Sequence, residues 1–573
     1  MRKPRVLIAN RGEIAVRIIR TLRELDVPSI AVYSDADRDA LHVEMADAAY
    51  RIGPPLATDS YLSIGATLEA ARRSRATAVH PGYGFLSESS HFAQAVTDAE
   101  YTFIGPPASA IELMGDKSAA RRAAEAAGVP IVPGTTEPVS TSEAPGLAEE
   151  IGYPIAVKAA FGGGGRGMHV VRQAKGLASA LERAEREARA YFGRPEVFME
   201  RYIENAHHVE AQILADERGN AWFLGERDCS VQRRHQKLIE ETPSPIVDEE
   251  TRTRIGDAAI ALAKAAGYTN AGTVEFVMGE DGAFYFLEMN TRLQVEHTVT
   301  EMATGLDLVA LQLRIALGEE VDVDAPPRGA SIQCRINAED PTRNFLPGPG
   351  RVTAYVEPAG PFVRVDSGIR LGKEIPGDYD SMFAKLVVWG SDREEARKRI
   401  LRSLGEYQVE GVPTTIPLHR WTLQTKEFRE GSHTTTWIER ALRDADLEQA
   451  PEQVPTAAPG ERGPSELLLE VDGKRVPVRI YDERTELAPR PPSAHGGAAG
   501  EHVHGIVAAP MQGKILRVLV EQGQAIQAGD VLCILEAMKM ENHIQSPREG
   551  VVTELPIEPN QAVVTGQTLA VID

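Results

Sequence analysis

The spacing of apolar residues changes several times along the chain, and each change marks a different kind of structure. Arg5-Val6-Leu7-Ile8-Ala9 is a short apolar run of the buried-strand type, followed by helical spacing from Gly12 to Leu25 and a second apolar strand from Ser29 to Tyr33. Strand, helix and strand in that order predict a parallel βαβ domain over residues 1–115. Residues 116–330 alternate helical stretches with hairpins, and residues 331–445 read as a further mixed α/β unit, with its pattern running from Ser331 to Leu442. From 446 the composition shifts to Pro, Ala, Gly and Glu, which predicts a linker over 446–504. Inside it, residues 465–482 should form a short β-hairpin, because Leu467 to Tyr481 alternates apolar and polar residues around Asp472-Gly473. The second part of the linker, Glu486 to Val503, is rich in His and Gly, a composition that suits a flexible, soluble segment better than a metal site.

Residues 505–573 repeat themselves with a shift of 37: Pro510, Gly513, Gly523 and Gly529 recur as Pro547, Gly550, Asn560 and Gly566. The apolar positions Ile515, Val520, Ile526 and Leu532 recur as Val552, Ile557, Val563 and Leu569. Gly523 can be matched by Asn560 because both residues tolerate the left-handed backbone of a tight turn. This pattern predicts a flattened β-barrel of two halves related by a quasi-twofold axis. The halves join at Glu536-Ala537-Met538-Lys539-Met540-Glu541-Asn542, so Lys539 should stand on a hairpin tip, where a tethered group could swing.

Composition narrows the class. A chain of 573 residues exceeds one compact core, so three or four domains are expected. With 42% hydrophobic and 25% charged residues it has the make-up of an ordinary globular protein. A net charge of −21 argues against nucleic acid or anionic membrane as the main partner. Cys229, Cys334 and Cys533 are too few and too scattered for a disulfide framework. No leader pattern and no membrane-length apolar run is visible, and the expectation is a cytoplasmic protein.

The middle of the chain carries the candidate chemistry. Gly162 to Gly167 contains a GxGxxG pattern after an apparent strand, Pro154 to Ala160, but Met168 to Arg172 reads as another strand instead of a helix. That makes the cluster a hairpin loop whose N–H groups can cover phosphates as a mobile lid. Lys158 interrupts the apolar strand beside it, where a phosphate would balance its charge. Lys117, in Met114-Gly115-Asp116-Lys117, is a helix-start lysine and says less by itself. Thr273–Val277 and Phe284–Asn290 are predicted strands, and a symmetric turn at Gly279-Glu280-Asp281-Gly282 would put Glu275 opposite Phe286. Glu288 then becomes the diagonal neighbour of Glu275, with Asn290 further along the same face. Two carboxylates side by side call for a hard cation, Mg²⁺ or Mn²⁺. If Thr291 to His297 is extended, Arg292, Gln294 and Glu296 project to one side, a set able to bind a small oxyanion and take its proton. Gln232-Arg233-Arg234-His235-Gln236-Lys237 adds a loop rich in donors suited to phosphate oxygens.

The EAMKMEN segment resembles the attachment site of biotin carboxyl carrier domains. Lipoyl domains share the barrel but usually carry an acidic residue before the lysine and a small one after it, a pattern absent here. Ala9-Asn10-Arg11-Gly12-Glu13, His80-Pro81-Gly82-Tyr83-Gly84-Phe85-Leu86 and Arg335-Ile336-Asn337-Ala338-Glu339-Asp340, with the central motifs, resemble the biotin carboxylases of the ATP-grasp superfamily. The whole is similar to the α subunits of biotin-dependent acyl-CoA carboxylases, most like the actinobacterial type. The resemblance implies an α/β fold: a parallel N-terminal domain, an ATP-grasp domain with its lid over about 135–203, a C-terminal α/β domain and a small all-β biotinyl barrel.

By that resemblance Lys117, Lys158, Gly163, Gly164, Gly165, Gly167, Glu200, His208, Gln232 and His235 contact ATP, and Tyr202 and Ile203 supply adenine-hinge backbone. Glu275 and Glu288, helped by Asn290, hold Mg²⁺ or Mn²⁺; Arg292, Gln294 and Val295 bind bicarbonate, and Glu296 acts as its base. Lys237 steadies carboxyphosphate, Arg335 stabilises the enolate form of the biotin ureido group, and biotin is covalently held on Lys539. Expected partners are a carboxyltransferase β subunit on a separate chain, since no stretch is left for that domain, a biotin protein ligase, and further copies within a hetero-oligomer. The hairpin around Asp472-Gly473 stands where larger α subunits carry a longer docking domain. Rival readings are the α component of a two-part pyruvate carboxylase and a catalytically silent carrier. The carried biotinyl domain argues against the first, and the full set of acids, lysines and arginines argues against the second.

Overall fold

The structure is a computed structural model that describes residues 4–135, 137–159, 168–192, 196–443, 465–471, 474–480, 505–509, 513–537, 540–563 and 566–573. Lys539, the expected lid glycines Gly163, Gly164, Gly165 and Gly167, and most of the 446–504 linker lie outside these residues.

The N-terminal sheet is fully parallel, with the spatial order Ala48–Gly53, Ser29–Ser34, Val6–Ile8, Ala78–His80, Thr102–Phe103. Val6, Leu7 and Ile8 are all buried because the strand feeds two cores. Val6 and Ile8 pack with Ile14, Ile18 and Leu22 of helix Gly12–Glu24, while Leu7 packs with Ile30, Val32 and Phe92. The order of the sheet reverses between Val6–Ile8 and Ala78–His80, and in such sheets ligand loops gather at that crevice. The Asn10 and His80 loops meet there, with Asn10 Nδ2 donating to Pro81 O and Tyr83 O at 2.7 Å each.

An antiparallel sheet of eight strands forms the centre. Its order is Phe284–Asn290, Asn270–Met278, His207–Ala215, Ala221–Arg233, Gln236–Thr242, Ala330–Asn337, Met382–Gly390, Val363–Ser367. The sheet runs unbroken past residue 330, through the pairing of Ile239 with Cys334. Along His207–Ala215, Val209, Ala211 and Ile213 face a core with Ile255, Ala259 and Leu262 of helix Glu249–Ala265. Period-two alternation leaves His208, Glu210 and Gln212 on the opposite face. A separate sheet of three strands, His169–Val171, Ile155–Ala159 and Val197–Arg201, packs beneath helix Leu177–Phe192. Ile155 pairs with Val171 and Val157 with His169, so a hairpin does bracket the glycine cluster. Ser465–Val471 and Lys474–Ile480 pair as the predicted linker hairpin, closing at Val471 and Lys474. Among the described residues no helix is long and apolar enough to cross a membrane.

The C-terminal repeat folds as its periodicity predicts. One sheet has the order Ile506–Ala508, Thr568–Ile572, Gly550–Glu554, Ala525–Ile526, and the other Met540–Gln545, Val531–Ala537, Gly513–Val518, Ala562–Val563. Exchanging the two halves of the repeat converts one order into the other. Hydrogen bonds repeat as well: Gly523 N–H donates to Val552 O at 2.7 Å, and Asn560 N–H donates to Ile515 O at 2.6 Å. Gly523 has φ +88° and Asn560 φ +71°, the left-handed turns expected of both. The last described pair before the join is Ala537 with Met540, which brackets Met538 and Lys539. Nothing lies within 4 Å of a Cβ placed on Gly523, so only backbone strain opposes a side chain at these turns. Asn560→Gly should be tolerated within about 0.5 kcal/mol, whereas Asn560→Val should destabilise the barrel by roughly 1–2 kcal/mol, measured by hydrogen exchange of the carrier amides.

Candidate active site

Sheet register brings the site together. Arg227 pairs with Glu210, Glu210 with Glu275, and Glu275 with Glu288, so four strands carry one row of side chains. The expected register needs correcting. Phe276, not Glu275, lies opposite Phe286, because the connection holds five residues, closed by Gly279 N–H to Ala283 O at 2.9 Å. A bulge between Glu275 and Phe276 then sets Glu275 directly across from Glu288 instead of diagonal to it. Direct opposition brings like charges closer than the diagonal would.

Lys237 balances much of this row. Its Nζ donates to Glu210 Oε2 at 2.6 Å, Glu275 Oε1 at 2.9 Å and Glu296 Oε1 at 2.6 Å. Burial works against the Lys237 charge, but Cys229, Glu210, Glu275 and Glu296 together raise its pKa well above the ordinary lysine value. Burial alone would push the Glu275 carboxyl up; Lys237 and His208 reverse that and hold it far down. His208 Nε2 lies 3.0 Å from Glu275 Oε2. Glu288 differs: burial and the Glu275 charge both raise its pKa, and it makes no ion pair among the described residues. A carboxylate facing another carboxylate, with no cation of its own, fits Mg²⁺ or Mn²⁺ bound between hard oxygen donors. Asn290, at the end of the same strand, accepts from Arg292 Nη2 at 2.8 Å, and its buried amide nitrogen has no hydrogen-bond partner among the described residues.

Thr291 to His297 is not the extended piece expected. Glu296 caps helix His297–Thr304 with φ −84° and ψ 6°, and Leu293 is buried in the core. The turn still brings Gln294 and Glu296 together: Gln294 Nε2 donates to Glu275 Oε1 at 2.7 Å, and Glu296 lies between Lys237 and Arg335. Arg335 Nη2 donates to Glu296 Oε2 at 3.0 Å and its Nε to Glu240 Oε1 at 2.5 Å. Burial raises the Glu296 pKa, yet Lys237, Arg335 and Arg227 outweigh it, so the carboxyl sits well below the usual range. Arg292 turns toward the N-terminal domain, with Nε 3.3 Å from Glu88. Val295 follows in the same turn, its carbonyl accepting from Lys385 Nζ at 3.1 Å.

Gln232 and Lys237 pair across a hairpin whose two turn residues, Arg234 and His235, have φ of +48° and +66°. Burial lowers the His235 pKa, and Arg233 leaves the cluster to stack its guanidinium 4.2 Å from the Phe345 ring. Lys158 pairs with Glu200 across adjacent strands of the three-stranded sheet. Tyr202 N–H donates to Pro154 O at 2.8 Å, so its carbonyl is the group it can offer a nucleotide; Ile203 follows it. Lys117 opens helix Lys117–Ala126 behind the Asp116 cap. Sequence reading overlooked Glu210, Arg227, Glu240 and Glu88. The alternation His208, Glu210, Gln212 was a usable signal for the first, since polar residues at period two need a polar partner face.

Comparison with known proteins shows the family. Family profiles match residues 2–111 as "biotin carboxylase, N-terminal domain", 116–323 as "carbamoyl-phosphate synthase L chain, ATP binding domain", and 333–440 as "biotin carboxylase C-terminal domain". Residues 506–572 match "biotin-requiring enzyme". The α3 subunit of a biotin-dependent acyl-coenzyme A carboxylase from Mycobacterium leprae is 45% identical over 94% of both chains. A pyruvate carboxylase subunit from Methanothermobacter thermautotrophicus is 49% identical over 78% of this chain and 91% of its own. The crystal structure of a biotin carboxylase–β,γ-ATP complex from Campylobacter jejuni superposes with a TM-score of 0.73, at 46% identity over 76% of this chain and 98% of that one. The biotin carboxylase domain of the Hydrogenobacter thermophilus 2-oxoglutarate carboxylase, solved with MgADP and bicarbonate, gives 0.72 at 46% identity over 77% and 99%. The chain is thus an ATP- and divalent-metal-dependent biotin carboxylase joined to its own biotinyl domain, and it belongs to the family of biotin-dependent acyl-CoA carboxylase α subunits.

Proposed function

We propose that this chain carboxylates biotin on its own Lys539 with bicarbonate and ATP, by way of carboxyphosphate, and hands the carboxyl group to a separate carboxyltransferase β subunit. The observation that carries the reading is the Lys237–Glu275–Glu296–Arg335 cluster, with Glu288 beside it in no ion pair among the described residues. A divalent ion held by Glu275 and Glu288, with Asn290, would neutralise ATP phosphate charge. Lys117, Lys158, Glu200, His208, Gln232 and His235 bind the nucleotide, Tyr202 and Ile203 hold its base, and the loop with Gly163, Gly164, Gly165 and Gly167 closes over it.

Arg292, Gln294 and the Val295 backbone bind bicarbonate, and Glu296 takes its proton as the bicarbonate oxygen attacks the γ-phosphorus and ADP leaves. Lys237 and Arg335 keep Glu296 ionised at rest. When the reacting anions draw those two cations toward themselves, the Glu296 carboxylate becomes the stronger base it needs to be. Lys237 then offsets the charge of carboxyphosphate, and Arg335 meets negative charge developing on the acceptor's ureido oxygen. Biotin, when bound, would supply the ureido nitrogen that takes up the CO2 released from carboxyphosphate, its N–H proton passing to the departing phosphate.

On this reading the chain divides at 115, 330, 445 and 504, with the central sheet shared across 330. The acyl substrate is acetyl-CoA or propionyl-CoA. Support for an acyl-CoA enzyme over a pyruvate enzyme comes from the extent of the matches: 94% of this chain for the acyl-coenzyme A carboxylase relative, but 78% for the pyruvate carboxylase one. A biotin protein ligase modifies Lys539, and the chain works as a homo-oligomer within a hetero-oligomer.

Lys539→Ala should lose all biotinylation by intact mass and all acyl-CoA carboxylation, yet keep bicarbonate-dependent ADP release with free biotin. An acyl-CoA panel run on the co-purified complex should give highest turnover with acetyl-CoA or propionyl-CoA; turnover confined to pyruvate would reverse the assignment. Lys237→Met leaves three buried carboxylates without their shared cation and should cost about 3–5 kcal/mol. Lys237 is the largest influence holding the Glu275 and Glu296 carboxyls below their usual range, so the stability they contribute above that range is lost in the variant and regained by the parent only as pH rises; thermal melts should show a larger deficit at pH 7 than at pH 4.

A further inference from the structure

Arg227 is fully buried on the central sheet, and its five N–H groups make five hydrogen bonds. Nε donates to Glu210 Oε1 at 2.5 Å; Nη1 donates to Gln212 Oε1 at 2.6 Å and Thr300 Oγ1 at 3.0 Å. Nη2 donates to Thr273 Oγ1 at 3.0 Å and Gln294 Oε1 at 2.8 Å. The guanidinium therefore ties two strands and helix His297–Thr304 to the turn that carries Gln294.

This arrangement has a chemical consequence for Gln294. A guanidinium cannot accept a hydrogen bond and an ionised carboxylate cannot donate one. With Arg227 on one side and Glu275 on the other, the Gln294 amide has a single allowed orientation: oxygen toward Arg227, nitrogen toward Glu275 at 2.7 Å. The amide nitrogen has two hydrogens, and Glu275 takes one of them, so the other can meet an oxyanion. Glu275 also serves Lys237, His208 and the proposed metal, so its hold on Gln294 is shared, whereas Arg227 Nη2 holds the amide oxygen whatever Glu275 is doing. The backbone of the same turn is anchored from behind, with the Gln294 carbonyl 2.7 Å from His297 Nδ1 and the Val295 carbonyl 3.1 Å from Lys385 Nζ.

We propose that Arg227 is the positioning residue of the bicarbonate pocket: it pins the Gln294 amide so that an N–H, not a carbonyl oxygen, faces the anion. This rests on the reading of Gln294 as a bicarbonate ligand. A reversed amide would present a lone pair to bicarbonate, and the loss falls on bicarbonate affinity, leaving nucleotide affinity alone.

A double-mutant cycle on the biotinylated full chain tests it, with ADP release measured against bicarbonate and against ATP, free biotin being the acceptor. Arg227→Lys keeps the charge opposite Glu210 but offers at most three donors. The expected result is a bicarbonate KM raised about tenfold or more, with the KM for ATP within twofold of the parent. In a Gln294→Ala background, Arg227→Lys should raise the bicarbonate KM no further, because both changes remove the same contact. Equal rises in both KM values, a fall in kcat alone, or full additivity with Gln294→Ala would each overturn the proposal. Gln294→Ala by itself separates the two readings: an unchanged bicarbonate KM there removes Gln294 as a ligand, whereas a raised one with Arg227→Lys unchanged removes only Arg227. If Arg227→Lys does not fold, Thr273→Val takes its place, since it removes the second acceptor from the same nitrogen that grips Gln294. A severalfold rise in bicarbonate KM that vanishes in the Gln294→Ala background supports the proposal, and an additive rise or none overturns it.

Discussion

Three carboxylates, Glu288, Glu275 and Glu210, stand side by side on three neighbouring strands with Arg227 at the end of the row, and no sheet tolerates that without cations. The rest of the catalytic architecture follows from meeting this demand. Lys237 reaches Glu210, Glu275 and Glu296 because the hairpin through Arg234 and His235 turns back within two residues. Arg335 comes from the next strand and closes the cluster onto Glu296 and Glu240. Among the described residues Glu288 makes no ion pair, and burial and the Glu275 charge outweigh Lys117 and His208, which makes this end of the row the natural place for a divalent ion.

That demand also explains why the central sheet is continuous. Lys237 stands on Gln236–Thr242 and Arg335 on Ala330–Asn337, strands paired directly from Ile239↔Cys334 to Thr242↔Ser331. Separate sheets would leave the relative position of the two cations to loop geometry, which is looser than a hydrogen-bonded ladder. The N-terminal domain contributes from the mouth of its strand-order reversal: the His80 loop is tied to Asn10, and Glu88 beyond it reaches Arg292. Apolar packing against helix Glu249–Ala265 on the other face keeps the polar row from twisting away from its counter-ions.

The carrier barrel obeys a different logic. Its two halves are held by the same hydrogen bonds at positions 37 apart, and its core pairs Ile515 with Val552 and Leu532 with Leu569 in equivalent, fully buried places. Such a fold is legible from sequence because each constraint is local: a turn residue with positive φ, and apolar residues that recur at the same shift. Gly523 and Asn560 could be matched before any coordinates for that reason.

The central site was legible in part. Glu275 and Glu288 are legible as acids on predicted strands and Glu296 as part of a polar segment beyond them, whereas Arg335 and the role of Lys237 come from the family resemblance. Their mutual geometry was not readable: one extra loop residue and a bulge at Glu275 changed a diagonal neighbour into a direct one, and a helix cap at Glu296 replaced an extended strand. Glu210 left a trace in the alternation of His208, Glu210 and Gln212, but Glu240 and Arg227 could not be ranked among many acids and arginines, because their importance lies in which strands become neighbours. By itself the sequence determined the strand and helix succession, the duplicated barrel and the kinds of side chain available, all of which depend on short-range periodicity and turn chemistry. Only the tertiary structure decided which charge answers which, since ion pairing across a sheet depends on register, and register is settled by bulges, loop lengths and packing far from the residues concerned.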